Sequence, residues 1–225
     1  MKLYWIGLAA LMLLAGCGQD AAPPAEPAAP SAAADLPVVG TEVRILALGD
    51  SLFTGYGLEN GQSYPARLEA ALRARGINAR IANAGVSGDT SGGGAARLKF
   101  ALDGQPQPPS LVLISLGGND MLRALPPQQT RTNLDVILTE LGQRKIKVVL
   151  LGMLAAPNLG ADYAGKFNSI YPALAKKHGA VLVPFFLQPL VEKPELVQAD
   201  HVHPTLAGID LLVGSTVEAV AGAAK

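Results

Sequence analysis

The sequence contains one cysteine, three histidines and few aromatic residues, 5% of 225. A lone cysteine excludes an internal disulfide. Basic and acidic residues balance at 18 each. No Lys/Arg-rich run or aromatic–basic stripe occurs, which argues against a nucleic-acid partner. There is no G-x-G-x-x-G and no G-K-[ST], so the run Gly92-Gly93-Gly94 gives no support to a nucleotide site. No internal repeat is present. Two of the three histidines, His201 and His203, lie beside Asp200, but no further His or Cys completes a metal cluster. A cofactor is not expected.

What the chain does have begins with an apolar stretch, Leu3 to Leu14, behind the basic Lys2. It is too short for an ordinary spanning helix and reads as the core of a signal peptide over residues 1–16. It ends in Leu14-Ala15-Gly16-Cys17, which resembles a bacterial lipobox with Cys17 as the lipidated residue. Residues 17–40 are Ala/Pro-rich, without periodicity, and read as a stiff tether. The expected location is therefore a membrane surface outside the cytoplasm, reached through lipidated Cys17. Gly18 follows Cys17 where an inner-membrane retention signal places Asp, so a two-membrane source would favour the outer membrane. Residues 41–225, about 185 of them, suffice for one domain with a substantial core.

Within that domain short apolar runs end at Gly or Pro: Arg44–Leu48, Leu111–Leu116, Ile146–Leu151 and Ala180–Val183, with a weaker run at Ala79–Ala82. Such runs suit strands buried on both faces. Amphipathic stretches of helical length lie between them: Tyr64–Arg75, Thr130–Gln143, Asp162–His178 and Leu206–Ala223. The alternation predicts an α/β domain with a parallel sheet between two helical layers. Ligands then bind at the carboxyl ends of the strands, so reactive residues should follow the apolar runs.

They do. Ser51 follows the first run in Gly49-Asp50-Ser51-Leu52. A serine there is either a helix cap or an exposed nucleophile, and the segment alone leaves the two even. The C-terminal Asp200-His201-Val202-His203-Pro204 favours the nucleophile. A serine needs a base, and imidazole suits neutral pH. An Asp three residues before a His can curl back onto Nδ1 and leave Nε2 for the serine. That spacing selects His203; His201, adjacent to Asp200, should point away. Asn83–Thr90 and Gly117-Gly118-Asn119-Asp120 follow other runs and offer hydrogen-bond donors for an oxyanion.

In chain order, Gly49-Asp50-Ser51-Leu52, Gly85-Val86-Ser87-Gly88-Asp89-Thr90, Gly117-Gly118-Asn119-Asp120 and Asp200-x-x-His203-Pro204 resemble the blocks of SGNH (GDSL-type) hydrolases. The likeness is to the bacterial thioesterase/lysophospholipase/arylesterase branch. It implies a three-layer α/β/α, flavodoxin-like fold with a five-stranded parallel sheet. It also implies a serine esterase with Ser51 as nucleophile, His203 as base and Asp200 orienting it. Ser51, Gly88 and Asn119 would form the oxyanion hole. Met121, Leu122, Leu125, Leu154 and Pro157 would line an acyl groove. The expected partner is a small-molecule ester or lysophospholipid. Two alternatives stand beside it: an O-acetylesterase acting on envelope polysaccharide, and a catalytically silent lipoprotein with the same fold.

Overall fold

A computed structural model describes residues 38–225. The signal peptide expected over residues 1–16, Cys17, and the tether as far as residue 37 lie outside the described residues. Each of the five apolar runs forms a strand: β1 (Val43–Gly49), β2 (Ala79–Gly85), β3 (Leu111–Ser115), β4 (Lys147–Leu151) and β5 (Val181–Val183). All pair in parallel, in the order β2-β1-β3-β4-β5. The central strand β3 is buried along its whole length, which is why its sequence is unbroken apolar rather than alternating.

The chain steps outward from β1 to β2, returns past β1 to β3, and then continues through β4 to β5. With right-handed crossovers this reversal sends helices to both faces. On one face α2 (Tyr64–Arg73) packs on α8 (Leu206–Ala223). On the other, α3 (Ser91–Asp103) packs on α5 (Pro127–Gln143), and α5 on α7 (Ile170–His178). Helix α8 is long and apolar enough to cross a membrane, yet it packs against α2, β4 and β5 as a core element. Its Thr216 bonds the Tyr64 hydroxyl at 2.7 Å. Tyr64 in turn stacks on Phe53 at 5.4 Å and meets Phe186 edge-on at 4.8 Å, filling that layer.

Two helical features differ from expectation. Helix α3 is not among the amphipathic stretches of the sequence, since Gly92-Gly93-Gly94 at its start are poor helix formers. Thr90 caps it, accepting from Gly93 N–H at 3.2 Å. A Cβ on Gly94 would come within 2.3 Å of Leu116 Cδ1, so the small residue is what lets α3 approach the end of β3. The stretch 162–178 is two helices, α6 (Ala161–Asn168) and α7, separated at Ser169.

Candidate active site

The four motif segments meet at the carboxyl edge of the sheet. Ser51 is the first residue of a one-turn helix, α1 (Ser51–Thr54), directly after β1. Asn119 sits in α4 (Gly118–Leu122) after β3. β1 and β3 are the neighbours between which the strand order reverses, and such a switch point opens a crevice. Gly88 turns out of β2 with φ +80°. Asp200 and His203 belong to the loop before α8. That loop is closed by an antiparallel bridge between Val197 and Pro204 and by Gln198 N–H donating to His203 O at 2.7 Å.

Ser51 Oγ lies 2.8 Å from His203 Nε2, and His203 Nδ1 lies 2.6 Å from Asp200 Oδ2. A carboxylate only accepts, so the tautomer with a proton on Nδ1 satisfies both contacts and leaves Nε2 to accept from the serine. Asp200 Oδ1 also accepts from Val202 N–H at 2.9 Å and His203 N–H at 3.0 Å. The His203 backbone donor, then its ring, then Val202 N–H hold the Asp200 carboxyl well below the usual range. The carboxylate is thus anionic and fixed by its own loop. The Asp-x-x-His spacing achieves the reach that it implied.

Asp50 caps α1 and is buried, 2% exposed. Its Oδ1 accepts from Leu52 N–H at 3.0 Å, and its Oδ2 from Asn119 Nδ2 at 3.3 Å. Burial pushes its pKa up from 3.8 to about 6, opposed by the Leu52 bond, attraction to His203 and the Asn119 bond. Asn119 Nδ2 also donates to Asp89 O at 2.9 Å. The Ser51 and Gly88 N–H groups meet no acceptor among the described residues.

Three side chains hold these loops. Arg97 of α3 donates to Gly49 O at 2.9 Å, Ala84 O at 2.7 Å and Asp89 Oδ2 at 2.6 Å, stitching the ends of β1 and β2 to the Gly88 turn. Arg123 Nη2 donates to Gly88 O at 2.8 Å. Asp120, fully buried, accepts from Ser91 N–H at 2.7 Å, the Ser91 hydroxyl, and Thr130 Oγ1 at 3.0 Å. It locks Asn119's helix to α3 and α5. Neither role shows in the sequence, because Asp120 and Arg97 lie on helix faces whose partners are distant along the chain.

A groove of about 730 Å³ opens from Ser51 and His203. Met121, Leu122, Leu154 and Pro157 line it as expected. Leu125 does not: Ala124, at φ +49°, turns the chain away, and the Leu125 carbonyl accepts from Tyr163 instead. His201, expected to point away, borders the groove, in a left-handed backbone at φ +59°. Sequence reading missed Met153, Phe185, Leu187 and Val191, which also line it. The last three sit in the connection after β5, where no periodicity marks a role. It missed Tyr56 as well, whose ring lies on His203 with centroids 4.4 Å apart. No cluster of three metal-ligating side chains occurs among the described residues.

The family model of GDSL-like lipases and acylhydrolases matches residues 47–211. Esterase TesA of Pseudomonas aeruginosa is 40% identical over 163 residues, 72% of this chain and 80% of that protein. Thioesterase 1/protease 1/lysophospholipase L1 of Escherichia coli is 38% identical over 160 residues, 71% of this chain and 74% of that protein. The crystal structure of AlinE4, an SGNH-hydrolase family esterase, matches with a TM-score of 0.71 and 58% identity, covering 82% of this chain and 98% of that one. With its motif segments gathered at one sheet edge and the family pattern running through most of its length, the chain belongs to the GDSL-like lipase/acylhydrolase family.

Proposed function

We propose that this protein is a serine esterase that hydrolyses carboxylic esters and thioesters through Ser51, His203 and Asp200. Family membership makes the chain an ester-bond hydrolase. The observation that carries the finer reading is the line Ser51 Oγ, His203 Nε2, His203 Nδ1, Asp200 Oδ2, with contacts of 2.8 and 2.6 Å. In the first step Ser51 Oγ attacks the carbonyl carbon while His203 Nε2 takes its proton. The oxyanion is held by the Ser51 and Gly88 N–H groups and by the Asn119 amide, whose long contact to Asp50 is the one given up. His203 returns the proton to the leaving oxygen or sulfur as that bond breaks. A water then attacks the acyl-enzyme, losing its proton to His203, and the acid departs as Ser51 regains its hydrogen.

The groove supports an acyl chain longer than acetyl, since its lining by Met121, Leu122, Met153 and Leu154 offers apolar surface beyond the reacting carbon. Medium-chain esters, thioesters and lysophospholipids are the substrates proposed. A p-nitrophenyl ester series should peak at medium chain length; a strict preference for acetate would point to polysaccharide deacetylation instead. Ser51→Ala should abolish turnover and phosphonate labelling with its thermal midpoint kept. A wild-type protein that resists labelling would instead be a silent member of the fold.

The same proposal places the enzyme on a membrane surface through lipidated Cys17, supported by the residue order Leu14-Ala15-Gly16-Cys17. Cys17→Ser should move it from the membrane to the soluble fraction; an unchanged distribution would remove the anchor.

A further inference from the structure

We infer that Tyr56 is a positioning residue for His203, held against it by Gln198. The inference rests on the reading of His203 as the base. Tyr56 is a large side chain left 53% exposed. Its ring lies on the imidazole at 4.4 Å and 32°, and its hydroxyl has no partner among the described residues. The backbone around it is pinned to both halves of the site. Tyr56 N–H donates to Ser51 O at 3.4 Å. Tyr56 O accepts from Gln198 Nε2 at 2.8 Å, and the same amide donates to Pro204 O at 2.9 Å. Gln198 N–H closes the circuit on His203 O. Gly57, at φ +73°, makes room for this clamp: a Cβ there would stand 2.2 Å from Gln198 Oε1.

A chain of contacts therefore joins the turn after the nucleophile to the loop of the base, using no side-chain atom of Ser51, His203 or Asp200. Asp200 grips one edge of the imidazole, but an edge contact alone does not fix the tilt of the ring. Tyr56 supplies a wall on one face. It also presents a π-face to the imidazolium formed when Ser51 loses its proton. The charged groups near that ring are Asp200, from its own loop, and Asp50, from the turn before α1.

The test is steady-state kinetics on a soluble ester with Tyr56→Phe, Tyr56→Ala, Gln198→Ala and the Tyr56→Ala/Gln198→Ala pair, each with its thermal midpoint. Tyr56→Phe should keep kcat within about two-fold, and Tyr56→Ala should lower it about five- to ten-fold with KM nearly constant. Gln198→Ala should fall in the same direction, and the pair should lose less than the two single losses combined. A raised KM at constant kcat would make Tyr56 a substrate contact and overturn the inference. So would a Phe variant as poor as the Ala variant, or additive losses in the pair. If Tyr56→Ala does not fold, Tyr56→Leu replaces it, and wild-type kcat in that variant would equally overturn it. Phosphonate labelling of wild type separates the two levels: failure to label Ser51 removes the reading of the site, whereas labelling with indifferent Tyr56 variants removes only the role of Tyr56.

Discussion

Replacing Asp50 with Asn should remove a defined part of the pH dependence of stability. Asp50 is buried beside Ser51, and its pKa rises from 3.8 to about 6, chiefly through loss of hydration. A folded-state value above the unfolded one means that the native protein binds a proton the unfolded chain has released between those two pH values. Stability contributed by protonated Asp50 is therefore present below pH 3.8 and lost as pH rises to about 6, then flat. At about 1.4 kcal/mol per pH unit, the span corresponds to about 3 kcal/mol. The amide introduced by Asp50→Asn cannot ionise, so the stability of that variant minus that of wild type should climb by about 3 kcal/mol between pH 3.5 and 7. Other carboxylates cancel in that difference. Urea unfolding of both proteins at half-unit pH steps measures it. A difference that is flat across the window, or that falls, would refute the assignment of a buried, hydration-starved carboxyl. The variant should also be slower, because the charge facing His203 and the acceptor for Asn119 are both altered.

Asn119→Ala should reduce kcat by about 10²–10³-fold with KM little changed, and unchanged turnover would remove it from the oxyanion site. Gly152→Ala should destabilise by about 1–3 kcal/mol in thermal or urea unfolding. The new Cβ would stand 2.3 Å from Pro184 O, and the backbone on both sides is hydrogen-bonded: Gly152 N–H to Val183 O and Phe186 N–H to Gly152 O. Ser115→Ala should be neutral or stabilising by up to about 1 kcal/mol, because the buried Ser115 hydroxyl has no partner among the described residues. A large loss there would reveal a bonded hydroxyl.

The sheet and the candidate site were legible for physical reasons that act locally. Strands buried on both faces must be continuously apolar, so Leu111–Leu116 and its fellows announce themselves, and only β2 and β5, at the edges, are weaker. Asp200 reaches His203 within one turn of chain, so three residues of spacing carry the contact. Helix α3 is hidden in the sequence because its Gly94 answers to Leu116, a neighbour in space and not in sequence. Leu125 was misplaced because nearness to Asn119 along the chain says nothing of direction after the left-handed turn at Ala124.

The sequence by itself determined the alternating α/β order, the strand runs, and a serine, an Asp-x-x-His pair and candidate hydrogen-bond donors each placed after a strand. It could do so because periodicity, capping and i,i+3 reach are properties of short segments. Only the tertiary structure decided that Ser51 and His203, 152 residues apart, come within 2.8 Å. It alone decided that Phe185, Leu187 and Val191 close the groove and that Tyr56 covers the imidazole. These contacts are made between loops, and a loop's path is fixed by the core it crosses rather than by its own residues.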